Sequence, residues 1–178
     1  MATTSQEQRD HVDRFLESIR DVLPMLDPEV EGLVDRITGL SRRFQRFLDE
    51  TLAEFELDHA EWKLLGLLAR RGDAYRSSPS ALARLMELSS GAMTNRLDRL
   101  ESAGLLRRLP DPSDRRGSPV ELTEKGRQLY EESVGVQAKK ESLVAAALSQ
   151  SEKKQLNALL RRMMLEFERA EGTAEDCD

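Results

Sequence analysis

The stretch SPSALARLMELSSGAMTNRLDRLESAGLLRRLPDPSDRRGSPVELTEKG, residues 78–126, decides how the chain is read. Ser78 followed by Pro79 is a helix start, with the serine as N-cap and the proline at the first helical position. Ala81, Leu82, Leu85 and Met86 then give a helix of two turns. Leu88-Ser89-Ser90 is a turn, and Ser89 caps a second helix over about 90–103, whose buried stripe is Ala92, Met93, Leu97 and Leu100. Gly104 stops it. Leu105 to Leu109 is short and extended, Pro110 to Gly117 is a polar turn rich in breakers, and Ser118 to Leu122 returns as a second strand. Two short helices joined by a tight turn, followed by a long-looped hairpin, are the layout of a winged helix-turn-helix. The expected fold class is mainly α, with the hairpin as wing.

The outward side of the second helix has a composition suited to a DNA groove. A helix entering the major groove needs small residues where its backbone approaches the bases and short polar groups to reach base edges and phosphates. Ser89, Ser90, Gly91, Ala92, Thr94 and Asn95 meet both needs, and the positive helix pole adds attraction for phosphate. Arg96 and Arg99 follow along the helix. At the hairpin tip, Arg115 or Arg116 on a thin loop fits the narrow minor groove, and Asp114 can orient a guanidinium. With Ser80 at the start of the first helix and Ser118 on the return strand, these are the candidate DNA contacts. Capping alone would account for Ser89, and core packing for Met93, Leu97 and Leu100.

The flanks read as helices. Residues 6–23 carry Val12, Phe15, Leu16, Ile19, Val22 and Leu23 on one stripe, interrupted by Pro24 and Pro28. A longer helix over about 29–56, capped by Asp27, carries Val30, Leu33, Val34, Ile37, Leu40, Phe44, Phe47, Leu48, Leu52 and Phe55. Asp58 caps a third, over about 59–70, with Trp62, Leu64, Leu65, Leu67 and Leu68. Thr123 caps a helix over about 124–147. Ser149 and Glu152 form a capping box for a last one, to about 170, with Leu156, Leu159, Leu160, Met163, Met164 and Phe167 inward. The acidic tail 171–178 reads as disordered. The expected layout is an extra N-terminal helix (1–27), a dimerisation helix (28–58), a DNA-binding module (59–123), C-terminal dimerisation helices (124–170) and the tail.

Composition narrows the class. Among 178 residues, 34% are charged and 4% aromatic, and the formal net charge is −6. No apolar run is long enough for a membrane helix, and no secretory signal is visible, so a cytoplasmic location without membrane contact is expected. One cysteine, Cys177, and two histidines, His11 and His59, leave no disulfide framework and no metal motif, and no cofactor signature is present. Read as a sum, the acidic charge argues against nucleic acid. Divided along the chain, residues 1–76 are −5, residues 77–130 are +2, and residues 131–178 are −3. The middle segment alone is basic, and eight of its nine bases are arginines, whose rigid fork suits phosphate and guanine edges. On charge alone, a solvated arginine-rich surface and a nucleic-acid patch fit equally well.

The residues 78–108, with DPSDRRGSPVELTEKG after Pro110, resemble the winged helix-turn-helix of the MarR family of bacterial transcription regulators. The resemblance covers about residues 28–168, and the D-x-R hairpin followed by V-x-L-T-x-x-G is its specific sign. It implies a two-fold dimer whose terminal helices interlock, bound to a pseudo-palindromic double-stranded operator. The recognition helix would run from Ser89 to Arg99, with Arg116 as wing arginine and Asp114 as its partner. The SSGAMTNRLDRLE run and the extra N-terminal helix resemble the PecS/HucR-type branch, some of whose members respond to urate. Arg96 and Arg108 match that branch's two ligand arginines. The branch's tryptophan on the extra helix is missing, however, and Lys63 follows Trp62 where an aspartate is expected. The ligand site implied is Phe44, Trp62, Lys63, Arg96 and Arg108, taking a small anionic aromatic effector rather than urate.

The expected function is thus a ligand-released DNA-binding regulator, a repressor by family habit. The alternative is a helical dimeric sensor or interaction protein whose hairpin contacts protein. No GxSxG, P-loop, GxGxxG or histidine-paired nucleophile supports an enzyme. Cys177 sits between Asp176 and Asp178, where negative charge raises a thiol pKa and slows oxidation, so a redox role is not expected.

Overall fold

Sidechain-to-backbone caps set the helix starts throughout the computed structural model, which describes residues 9–70, 76–110 and 118–172. The order is α1 (His11–Ile19), α2 (Pro28–Glu54), α3 (His59–Ala69), β1 (Arg76–Ser77), α4 (Pro79–Leu85), α5 (Ser90–Ser102), β2 (Leu106–Arg108), β3 (Val120–Leu122), α6 (Glu124–Ala145) and α7 (Gln150–Glu171). The chain forms two compact units, Met1–Ser133 and Val134–Asp178.

In the first unit, the predicted caps Asp27, Asp58, Ser78 and Ser89 all accept a backbone N–H from the first turn of their helices. Each such cap contributes about 1 kcal/mol. The extra helix is shorter than its apolar stripe suggests. It starts after a capping box between Asp10 and Asp13 and ends at Ile19, so Val22 and Leu23 lie beyond it and are exposed. Only Val12 of the stripe is buried. What fastens α1 to α2 is polar. The Arg36 guanidinium donates to Asp10 (3.0 Å) and to Asp13 (2.5 Å). Backbone N–H groups and Arg36 hold the Asp10 carboxyl down at about 2. A depressed carboxyl stabilises the fold above its ordinary value of 3.8, and that contribution fades only as pH falls toward 2.

One apolar cluster organises the module. Leu64, Leu65 and Leu68 of α3, Leu82 of α4, Met93, Leu97 and Leu100 of α5, and Leu106 and Val120 of the sheet are all buried in it. Of the stripe read on α5, Met93, Leu97 and Leu100 are buried, whereas Ala92 is half-buried. Most of the α2 stripe is not core: Val30, Leu33, Val34, Leu40 and Phe44 are exposed, and Leu52 is its one fully buried member.

The hairpin forms as expected, with β2 and β3 antiparallel, and it gains a third strand that the sequence did not announce. β1 adds to the far side of β3, giving the order β1-β3-β2. Arg76 and Arg107 stand opposite Glu121 from its two flanks.

The T-x-x-G sequence after β3 has a physical reason. Thr123 donates its N–H to the Leu105 carbonyl (3.0 Å) and its hydroxyl to the Gly104 carbonyl (2.7 Å), and it accepts from the Gly126 N–H (3.0 Å). This ties the start of α6 to the end of α5, where Gly104 turns the chain with φ +72°. A Cβ on Gly126 would lie 1.9 Å from the Leu105 carbonyl oxygen, inside backbone that cannot yield.

In the second unit, α7 begins with the expected Ser149–Glu152 capping box and ends at Gly172 in the left-handed region. Its apolar residues read as inward are not covered by the single chain: Leu156, Leu159, Met164 and Phe167 are exposed, and no residue of α7 is buried.

Gly126→Ala is expected to destabilise the protein by about 1–3 kcal/mol, through overpacking against backbone. Thermal unfolding followed by circular dichroism should show a clear fall in Tm. Gly135→Ala, whose Cβ meets nothing within 4 Å, should leave Tm unchanged or raise it.

Candidate nucleic-acid interface

Burying Met93, Leu97 and Leu100 turns the opposite side of α5 outward. Ser89, Ser90, Gly91, Thr94 and Asn95 are exposed there, with Ala92 half-buried. Ser89 spends its hydroxyl on the Ala92 N–H (3.3 Å), and the Thr94 hydroxyl donates back to the Ser90 carbonyl (2.9 Å). Among the described residues, the Ser90 and Asn95 side chains make no such bond. Ser80 is exposed on α4, next to Ser78, with the two hydroxyls 3.2 Å apart. A cleft of about 450 Å³ runs beside this face, lined by Pro79, Ser80, Ala83, Ser90, Met93, Thr94 and Arg108. The chemistry offered is a shallow polar surface of short hydroxyls and amides over a rigid apolar seam.

Two sequence-read contacts stand elsewhere. Ser118 is buried, so its hydroxyl faces the interior rather than a groove. The Arg99 Nε lies 3.0 Å from the Glu61 carboxylate, on the side of α5 that meets α3. Arg96 is half-buried, and its Nε is buried without a hydrogen-bond partner among the described residues. Asp114, Arg115 and Arg116 lie outside the described residues, as does Cys177.

The ligand residues are not brought together as one set. Trp62 and Lys63 line a cavity of about 250 Å³ with Leu48, His59, Gly66, Arg70 and Tyr130. Trp62 donates its indole N–H to Ser133 (2.8 Å), and its ring lies 5.8 Å from that of Tyr130. The Tyr130 hydroxyl occupies the space where Gly66 lacks a side chain. Phe44 does not line this cavity; its ring meets that of Phe47 edge-on at 6.5 Å. Arg108 is on the other side of the module, where its guanidinium pairs with Asp98 and Glu101 of α5. Its charge is consumed there by two carboxylates, which the sequence pattern did not reveal. Sequence reading also missed His59, Arg70 and Tyr130 as cavity residues, since they come from α3 and α6 and share no motif.

Glu121 is the least expected feature. It is buried on β3 beneath two arginines. Arg76 donates to one oxygen (2.8 Å) and Arg107 to the other (2.5 Å). Arg76 and Arg107 together hold the Glu121 carboxyl below its ordinary range. The clasp is therefore complete above that range and is lost only in acid, well below neutral pH. It binds the base of the wing across all three strands.

A comparison with known proteins agrees with this geometry. The MarR family profile matches residues 57–118. The HTH-type transcriptional regulator PecS of Dickeya dadantii (strain 3937) is 34% identical over 152 residues, covering 85% of this chain and 92% of PecS. The chain belongs to the MarR family. Apo MarR from E. coli superposes with a TM-score of 0.58 at 29% identity, over 74% of this chain and 96% of MarR. A mutant of S. aureus MepR bound to an oligodeoxyribonucleotide superposes with a TM-score of 0.58 at 23% identity, over 74% of this chain and 94% of MepR. This MarR-family chain is accordingly a transcriptional regulator with a winged helix-turn-helix, not an enzyme. Among the described residues, no helix is long and apolar enough to cross a membrane.

Glu121→Gln removes the carboxylate that occupies Arg76 and Arg107. Random-sequence duplex is expected to bind more tightly, with a salt slope steeper by about 1, because each phosphate neutralised adds roughly 0.9. Fluorescence anisotropy at several salt concentrations would test it. An unchanged slope would show that the two arginines stay out of reach of DNA.

Proposed function

We propose that this MarR-family protein is a homodimeric repressor that binds a pseudo-palindromic operator and is released by a small anionic aromatic ligand. The observation that carries the DNA reading is the exposed Ser90, Gly91, Thr94 and Asn95 face, held rigidly over the buried Met93, Leu97 and Leu100. A helix with bare, short polar residues in its first turns is the element that a major groove admits. Arg115 and Arg116 then serve the minor groove, with Asp114 orienting one of them.

The homodimer is supported by the apolar side chains left uncovered. Val30, Leu33, Val34, Leu40 and Phe44 on α2, and Leu156, Leu159, Met164 and Phe167 on α7, are too numerous to leave in water. A second copy covers them, and two recognition helices about 34 Å apart can then read two half-sites one DNA turn from each other.

The effector reading rests on the Trp62–Tyr130 cavity. Two aromatic rings are bordered by Lys63, Arg70 and His59, and the volume suits a single-ring compound. Aromatic walls with cations at the rim favour an aromatic anion. Ligand there would release DNA by altering the spacing of the two recognition helices.

A footprint on the intergenic DNA beside the protein's own gene is expected to show a protected pseudo-palindrome. Binding should weaken steeply with salt, and Arg116→Ala should lower the slope by about 1. Absence of salt-sensitive binding below micromolar concentration would overturn the reading. Leu40→Glu is expected to shift the protein toward single chains in sedimentation and to abolish protection of paired half-sites; an unchanged dimer would remove α2 from the interface.

A further inference from the structure

Glu61 has two tasks in the structure, and only one of them is local. It sits three residues into α3, where its Oε2 accepts the Asp58 N–H at 2.9 Å and completes the capping box. Its other oxygen, Oε1, lies 3.0 Å from Nε of Arg99, 38 positions later in the sequence and in the last turn of α5. The carboxylate is 1% exposed, whereas Arg99 keeps much of its guanidinium in solvent. Arg99 also donates to the Glu56 carbonyl at 3.3 Å. Glu56 is at the corner between α2 and α3, with φ +55°. One arginine of α5 thus grips the corner that opens α3.

Capping alone does not explain a buried carboxylate. A glutamine at that position caps equally well, because an amide oxygen accepts the same N–H. A charge taken out of water needs a partner, and removing that partner leaves a costly unpaired ion. For Oε1 that partner is Arg99, at ion-pair distance; Oε1 accepts no hydrogen bond among the described residues, so the charge of Arg99 is what offsets its burial. A displacement of α5 that carries Arg99 away is therefore resisted, unless α3 moves with it. The two residues that follow Glu61, namely Trp62 and Lys63, line the Trp62–Tyr130 cavity.

We propose that Glu61 is a positioning residue that couples α5 to this cavity through the Glu61–Arg99 pair, so that DNA held by α5 is sensed at Trp62. The proposal rests on the reading of α5 as the DNA-facing helix. It does not depend on which ligand fills the cavity. Coupling between sites is reciprocal in binding free energy, so whatever the cavity transmits to α5, α5 transmits to the cavity.

Trp62 is the sole tryptophan of the chain and reports on this directly. The test titrates the full-length protein with the duplex recovered by footprinting, using a scrambled duplex of equal length to correct for absorption. Binding is followed in parallel by anisotropy of a labelled duplex. In the natural protein, Trp62 emission is expected to change in intensity or wavelength, saturating at the same duplex concentration as the anisotropy. In Glu61→Gln at saturating duplex, that change should be lost. The double variant Glu61→Gln/Arg99→Gln leaves no buried charge and should lose it too, which keeps the test open if the single variant folds poorly by circular dichroism. Duplex binding without any Trp62 response overturns the coupling, and so does a full response in folded Glu61→Gln or in the double variant. Failure of any duplex to bind overturns the functional reading and the coupling together, so the two failures are told apart by the anisotropy.

Discussion

The shared burial of α3, α4, α5 and the sheet in one apolar cluster is the constraint from which the rest follows. Once Met93, Leu97 and Leu100 are committed to the leucines of α3 and to Leu82, the rotation of α5 about its own axis is no longer free. The outward residues are then whatever lies opposite, and in this chain they are serine, glycine, threonine and asparagine. Side chains without a core role can face a nucleic acid only because the other side of the helix is fully occupied. Close packing makes this orientation a discrete state, since interiors tolerate little rotation without opening voids.

Much of this was legible because its causes are local. N-caps are chosen within three residues of the groups they satisfy, so Asp27, Asp58, Ser78, Ser89 and Ser149 could be read by eye. The 3.6-residue period on α5 marked its core side correctly. Periodicity on α2 and α7 was equally clear but was silent on what covers it. An apolar stripe looks the same whether it meets its own chain or a second one, and here the single chain leaves it bare. The end of α1 was misplaced because Val22 and Leu23 extend the apolar pattern beyond Ile19, where the helix stops.

What could not be read depends on distant partners. β1 has two residues, too few to show any alternation. Glu121 is covered by Arg76, which comes from 45 positions away. Glu61 is paired with Arg99, which comes 38 positions later in the sequence. For the same reason the single chain does not bring the expected ligand residues into one cavity. Arg108 and Trp62 each sit where a family pattern would put them, but Asp98 and Glu101 claim the arginine, whereas Ser133 and Tyr130 claim the tryptophan.

The pairing of arginines with carboxylates has an evolutionary consequence. Arg76, Arg99, Arg107 and Arg108 each answer to Glu121, Glu61, Asp98 or Glu101. The module therefore keeps part of its positive charge in reserve. Losing a carboxylate by a single substitution, at a position that touches no base, would unmask a cation; gaining one would silence another. Lineages carrying the same recognition surface can in this way drift toward stronger or weaker hold on DNA while the sequence they prefer stays constant. On the proposed reading of α5, a change at the acidic positions of the wing base would tune the hold on DNA, and a change on the outer face of α5 would alter the address.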